Sequence, residues 1–197
     1  MLPEEPGHVF KFPCRFAGSR ECLKKQQALM RALCSAGFGR RYHQVNPDLL
    51  QIRELLDTFM VNLDPESGNS LIITGPPGVG KTFSLSYIFQ RLWWERTCSV
   101  GYVFSPTLFK LFADKADVKS YEKCSLLLLD DFGREYRPDW LFSRFEEFVE
   151  TRHANMKSTV ITTNLTLDQL KDDGMARIID RWRQGGQVIQ IAGESLR

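Results

Sequence analysis

Residues 71–82 read Leu71-Ile72-Ile73-Thr74-Gly75-Pro76-Pro77-Gly78-Val79-Gly80-Lys81-Thr82. An apolar strand runs into a glycine-rich loop and then into the start of a helix, with the spacing G-x-x-x-x-G-K-[ST] in the context that gives that pattern meaning. The backbone here must wrap closely around a polyanion, which side chains at Gly75, Gly78 and Gly80 would obstruct. Pro76 and Pro77 carry no N–H. The donors therefore come from Gly78, Val79, Gly80, Lys81 and Thr82, where free amides and the helix dipole form an anion site. Lys81 adds a point charge for the β- and γ-phosphates, and the Thr82 hydroxyl is of the right type to ligate Mg²⁺. Residues 75–82 are thus the candidate ATP-binding set.

Around this loop the chain alternates between short apolar runs and helical stretches. The runs lie at 71–74, 100–104, 126–129, 160–163 and 188–191, and the helices at about 81–95, 107–116, 139–153 and 166–183, the last interrupted at Gly174. Strands apolar on both faces and joined by helical crossovers make a buried parallel sheet, and right-handed connections place helices on both sides. The expected fold is α/β, a five-stranded parallel sheet sandwiched by helices. At 197 residues with 43% apolar residues, the chain is large enough for one buried core.

Two further strand ends carry chemistry. Leu126-Leu127-Leu128-Leu129-Asp130-Asp131 is an apolar strand closing on two carboxylates. Burying adjacent ionised carboxylates is costly unless a cation or water meets them. Beside a phosphate loop, Asp130 is expected to hold the Mg²⁺ hydration shell and Asp131 to orient an attacking water. The strand Ser158-Thr159-Val160-Ile161-Thr162-Thr163-Asn164 ends in polar residues. Asn164 is either a group that senses the γ-phosphate or a cap for the helix near Thr166, and Thr162 and Thr163 can be plain strand formers.

The N-terminal part differs in character. Residues 1–45 hold eight Lys/Arg against three Asp/Glu, on a chain of formal net charge +2. We read 1–45 as a basic extension and 46–197 as the nucleotide-binding domain. Residues 20–36 read as a helix with Leu29, Met30, Leu33 and Cys34 on one side and Gly37 at its end; a second helix is expected at 47–62, capped by Asn46. Five cysteines without paired spacing fit a reducing compartment. Cys14, Cys22 and Cys34 with His8 and His43 lack the paired ligand spacing of a zinc module. No apolar run approaches bilayer-spanning length and no signal-peptide pattern opens the chain, so a cytoplasmic location with no membrane partner is expected.

Ala176-Arg177-Ile178-Ile179-Asp180-Arg181-Trp182-Arg183 sets Arg177 and Arg181 four residues apart on one helix face. With the phosphate loop, LLLLDDFG, VITTN and the closing GESLR, this segment resembles the AAA+ P-loop NTPases of the DnaC/DnaI helicase-loader and IstB transposition-ATPase clade, over about residues 36–197. AGFGRRY resembles the short segment preceding the ATPase core in those loaders. The resemblance implies an acidic strand lying beside the phosphate-loop strand and Asn164 as the γ-phosphate sensor. It implies a short helical N-terminal extension and no C-terminal lid domain; the helix of Leu29, Met30 and Leu33 is expected either to grip the helicase or to pack against its own domain. ATP would sit between subunits of a ring or spiral, with Arg177 or Arg181 reaching the neighbour's γ-phosphate and Arg197 a weaker nucleotide-sensing candidate.

The implied activity is ATP hydrolysis, slow because Asp131 stands where many AAA+ ATPases carry Glu, and stimulated by oligomerisation or DNA. The implied partners are a hexameric replicative helicase of DnaB/DnaC type, single-stranded DNA and further copies of the chain. Lys110, Lys115, Lys119 and Lys123, with Phe109, Phe112 and Tyr121, are a candidate DNA track. Competing readings are an IstB-type helper of a transposase, a P-loop small-molecule kinase, and an ATP-binding adaptor without turnover.

Overall fold

A computed structural model describes residues 19–64, 67–133, 138–170 and 175–192. His8, Cys14, Gly174 and the GESLR ending with Arg197 lie outside the described residues. The five strands are β1 (Leu71–Thr74), β2 (Val100–Phe104), β3 (Leu126–Phe132), β4 (Ser158–Thr163) and β5 (Gln187–Gln190). Every pairing is parallel, in the order β2-β3-β4-β1-β5. This corrects one expectation: the acidic strand β3 does not lie beside the phosphate-loop strand β1, because β4 runs between them. Its register places Leu71 opposite Val160 on one side and Leu126 opposite Ser158 on the other.

Strands buried on both faces divide their side chains between two cores. Leu126 and Leu128 pack with Leu71 and Ile73 under α1 (Arg20–Ala36), α2 (Arg53–Val61) and α3 (Lys81–Glu95). Leu127 and Leu129 pack with Ile72 and Ile161 under α4 (Ser105–Ala113), α6 (Asp139–Ala154) and α8 (Ala176–Arg183). The sandwich read from the sequence is present.

α1 forms where expected. Ser19 Oγ accepts from the Cys22 amide at 3.2 Å, and Gly37 ends the helix with φ +97°, the left-handed turn that suits glycine. Its apolar side is not free for a partner. Leu29 and Leu33 are fully buried against the chain's own core, the second of the two arrangements expected for this helix.

The helix expected over 47–62 is broken. Asn46 Oδ1 does accept from the Asp48 amide at 3.1 Å, but it caps a single 3₁₀ turn, Pro47–Leu49; Leu50 is then extended, and α2 begins at Arg53. In one continuous helix Leu50 would lie about 200° round from Ile52, whereas the extended turn at Leu50 lets it pack on the same core as Ile52, Leu56, Phe59 and Met60, with Leu55 left half-exposed.

Two crossovers also divide. The helix expected at 107–116 is α4 followed by α5 (Lys119–Lys123), and the one expected at 166–183 is α7 (Leu167–Leu170) and α8, with 171–174 outside the described residues. Phe109 and Phe112 pack against Phe145 and are buried, so neither ring can stack a base; the lysines around them are exposed. Among the described residues no cluster of His, Cys, Asp or Glu could hold a metal ion, and no helix is long and apolar enough to cross a membrane.

Candidate nucleotide site

The phosphate loop leaves β1 at the carboxyl end of the sheet. A Cβ on Gly75 would lie 2.6 Å from the Ile191 carbonyl, so the chain's approach to the end of β5 requires glycine there. Gly80, at φ +95°, turns the loop into α3. Lys81 is buried, and its ammonium donates to the carbonyls of Gly75 at 2.7 Å and Pro76 at 2.8 Å, and to Asn164 Oδ1 at 2.7 Å. The lysine thus ties the loop to the end of β4.

Asp130 sits one strand further over. β3 does not stop at Leu129: it continues to Phe132, and its register against β4 shifts between Leu129 and Phe132. Asp131 there has φ +56°, unusual for a residue with a side chain. Such an irregularity re-aims side chains, and here the two adjacent carboxylates have separate environments. Asp130 Oδ1 accepts from Thr162 Oγ1 at 2.6 Å and from Thr82 Oγ1 at 3.2 Å; its Oδ2 accepts from the Tyr102 hydroxyl at 3.1 Å. Burial pushes the Asp130 carboxyl above the usual carboxylate range, and these three hydroxyls oppose it. Asp131 Oδ1 instead accepts from Asn164 Nδ2 at 2.5 Å, and its amide donates to Thr162 Oγ1 at 2.9 Å.

Thr166 and Gln169 cap α7 reciprocally, the Thr166 amide donating to Gln169 Oε1 at 2.8 Å and the Gln169 amide to Thr166 Oγ1 at 3.2 Å. Asn164 is therefore not the cap and bridges Lys81 and Asp131. Thr162 is more than a strand former, since it binds both aspartates' groups; Thr163 donates to the Phe132 carbonyl at 2.7 Å and serves the backbone.

Lys81, Thr82, Asp130, Asp131, Thr162 and Asn164 line a cleft of about 420 Å³ with Pro77, Gly78, Gly80, Phe83 and Phe104. Sequence reasoning assigned no role to Tyr102, Phe83, Phe104 or the Arg41-Tyr42 pair, which also border it. Tyr42 meets Phe83 edge-on at 5.0 Å, and the Arg41 guanidinium lies over both rings. The only hint was that AGFGRRY precedes the domain. The donor set fits a nucleoside triphosphate with a hard divalent cation: an ammonium and helix-terminal amides for phosphates, and a hydroxyl and a carboxylate for the metal. Arg177 and Arg181 are elsewhere. They border a groove between α6 and α8, where Arg181 Nε donates to Glu150 Oε2 at 2.9 Å.

A family model described as "IstB-like ATP binding protein" matches residues 48–197. The chain belongs to the IstB-like ATP binding protein family. Two relatives of this IstB-like chain are YqaM of Bacillus subtilis (strain 168), 28% identical over 77% of this chain and 56% of the relative, and YdaV of Escherichia coli (strain K12), 27% identical over 81% and 63%. The chain thus spans less than two thirds of either relative's length. Among solved structures, DnaI superposes with TM-score 0.68 at 24% identity, covering 82% of this chain and 95% of that one. The DnaC helicase loader superposes with TM-score 0.65 at 23% identity, covering 78% and 100%. The IstB-like chain therefore has the α/β P-loop NTPase fold of those two structures.

Proposed function

We propose that this IstB-like protein is an ATPase of DNA replication that binds Mg²⁺·ATP in the cleft and loads or remodels a hexameric replicative helicase on single-stranded DNA. The observation that carries the ATPase reading is the bridge Lys81–Asn164–Asp131, which links the phosphate-binding ammonium to a carboxylate free of the metal-side hydroxyls. Lys81 and the amides of 78–82 hold the phosphates. Thr82 and Asp130 would hold Mg²⁺, which would supply charge neutralisation at the phosphates. Asp131 orients the attacking water and accepts its proton, and Asn164 senses the γ-phosphate in place of its apo partners. The Asp131 side chain, one methylene shorter than Glu, supports slow basal turnover.

Arg177 and Arg181 border no part of their own chain's cleft, which supports a role in trans: one of them completes the site of a neighbouring copy in a ring or spiral. Such a finger contributes about 10³–10⁵ in turnover. With Leu29 and Leu33 buried, the helicase contact falls on residues 1–18 and on the exposed side of α1, which carries Leu23, Gln27 and Arg31. Single-stranded DNA would follow the exposed Lys110, Lys115, Lys119 and Lys123 by charge, without stacking on the buried rings.

The family match to IstB-like proteins favours one second reading, an ATPase helper of a transposase. Affinity purification of the tagged chain from its native cells with ATP separates the two. Recovery of the replicative helicase, lost when residues 1–18 are deleted or when the exposed Leu23, Gln27 and Arg31 are replaced with the buried Leu29 and Leu33 kept, supports the loader. Recovery of a transposase assigns the helper, and ATP turnover dependent on a small acceptor molecule would contradict both.

A further inference from the structure

Tyr102 lies in the middle of β2, and its phenol O–H reaches across to Asp130 Oδ2 at 3.1 Å. The ring is 7% exposed and stacks on Phe38, with centroids 3.7 Å apart and planes inclined by 23°. Phe38 is itself well held. Its amide donates to the Leu33 carbonyl at 3.0 Å, its carbonyl contacts His43 Nε2 at 2.9 Å, and its ring meets Phe89 of α3 edge-on at 5.4 Å. A continuous run of contacts therefore joins the end of α1 to one oxygen of the buried aspartate.

We propose that Tyr102 is a positioning residue for Asp130 and that Phe38 holds it in place, so that the segment joining α1 to the nucleotide-binding domain sets how readily the cleft takes a divalent cation with its nucleotide. This rests on the reading of the cleft as a Mg²⁺·ATP site. An ionised carboxylate accepts about four hydrogen bonds. Thr82 and Thr162 are on Oδ1 and Tyr102 is on Oδ2, so the hydroxyls take most of that capacity and leave Oδ2 the oxygen with room for a further partner. The Tyr102 hydroxyl fixes the plane of the carboxylate, because Oδ1 is already tied to α3 and β4 and only Oδ2 could swing. Without that donor, Oδ2 is a buried acceptor with no partner from the protein, and the carboxylate loses the orientation in which it meets the cleft. Partners of this kind, one step behind a metal ligand, are typically worth 10- to 100-fold in metal affinity. The stacked ring has little freedom to turn, so Phe38 acts through the direction in which the hydroxyl points.

The test is calorimetric titration of ATP into the full chain, in EDTA and at a series of MgCl₂ concentrations, with apo thermal unfolding followed in parallel. Tyr102→Phe keeps the ring and removes the hydroxyl. We expect its ATP affinity in EDTA to stay within about twofold of the wild type, while the Mg²⁺ concentration giving half of the metal-dependent gain in affinity rises roughly tenfold. Phe38→Leu moves that midpoint in the same direction by less, and the double variant moves it no further than Tyr102→Phe alone. A tyrosine that served packing alone would lower the unfolding temperature without shifting the Mg²⁺ midpoint, and that result would overturn the proposal. Equal weakening in EDTA and in Mg²⁺ would overturn it too. Failure of the wild type to bind ATP at all would refute the reading of the cleft instead.

Discussion

Two buried charges occupy opposite ends of the same sheet, Asp130 at the carboxyl end of β3 and Arg152 behind the amino ends of β3 and β4. Both are nearly inaccessible, at 4% and 2% exposure, and burial disfavours the charged form of each, raising the Asp130 pKa and lowering that of Arg152. Their surroundings differ. The Arg152 guanidinium donates to the carbonyls of Tyr121 at 2.6 Å, Glu122 at 3.2 Å, Cys124 at 3.0 Å and Ser158 at 2.5 Å, and to Thr159 Oγ1 at 3.2 Å. Those bonds join α5 to the starts of β3 and β4, and the charge is met by fixed dipoles. Asp130 has three hydroxyls and borders an open cleft. Every bond named for the arginine goes to the chain's own groups, and together they tie separate segments of the fold. The aspartate keeps room for a partner from solution, and only that arrangement suits ligand chemistry.

Removing either group should therefore have opposite consequences. Arg152→Met strands a cluster of carbonyls, and we expect it to cost about 3–5 kcal/mol of stability, as broken buried charge networks do. Chemical denaturation measures this, and the folded fraction should still bind ATP normally; an unchanged midpoint would break the comparison. Asp131→Asn should lower ATP turnover by about 100-fold, equivalent to roughly 2.7 kcal/mol of barrier, with little change in ATP affinity or unfolding temperature. Steady-state hydrolysis beside a binding isotherm would show it.

Asp130→Asn sharpens the contrast further. Because the folded-state pKa of Asp130 is raised, its ionised form opposes folding at neutral pH, and that penalty is relieved as pH falls through the raised pKa. In EDTA the variant should be at least as stable as the wild type near pH 7, by up to about 1–2 kcal/mol, a gain of the kind seen when a buried charge is removed. The gap should narrow in acid, while Mg²⁺-dependent ATP binding is lost. Unfolding curves at several pH values test the sign. The smallest effect belongs to the exposed Glu150–Arg181 pair. Glu150→Gln should change stability by less than about 1 kcal/mol, since both partners lie in solvent.

The same contrast explains what could be read without coordinates. The phosphate loop and LLLLDD were legible because a polyanion and a cation demand particular residue types at fixed spacing. Sheet order was not: five short apolar strands look alike, and nothing in 126–129 or 160–163 says which lies beside β1. Arg152 looked like any basic residue in the last turn of a helix, because its partners are carbonyls contributed by segments up to 31 residues away. Tyr102 was hidden for a similar reason, as one aromatic in a strand of apolar neighbours, and Thr162 passed as a strand former although it contacts both aspartates. The break at Leu50 was invisible because the Asn46-Pro47 start signal was real but served a shorter element.

Every role proposed above depends on whether the cleft between the phosphate loop and the ends of β3 and β4 binds Mg²⁺·ATP. Calorimetric titration of ATP with MgCl₂ into the wild type and into Lys81→Ala, both shown to be folded by circular dichroism, tests it most directly. We expect saturable binding at one site per chain for the wild type and no measurable heat for the variant. Equal binding by the two, or none by the folded wild type, would contradict it.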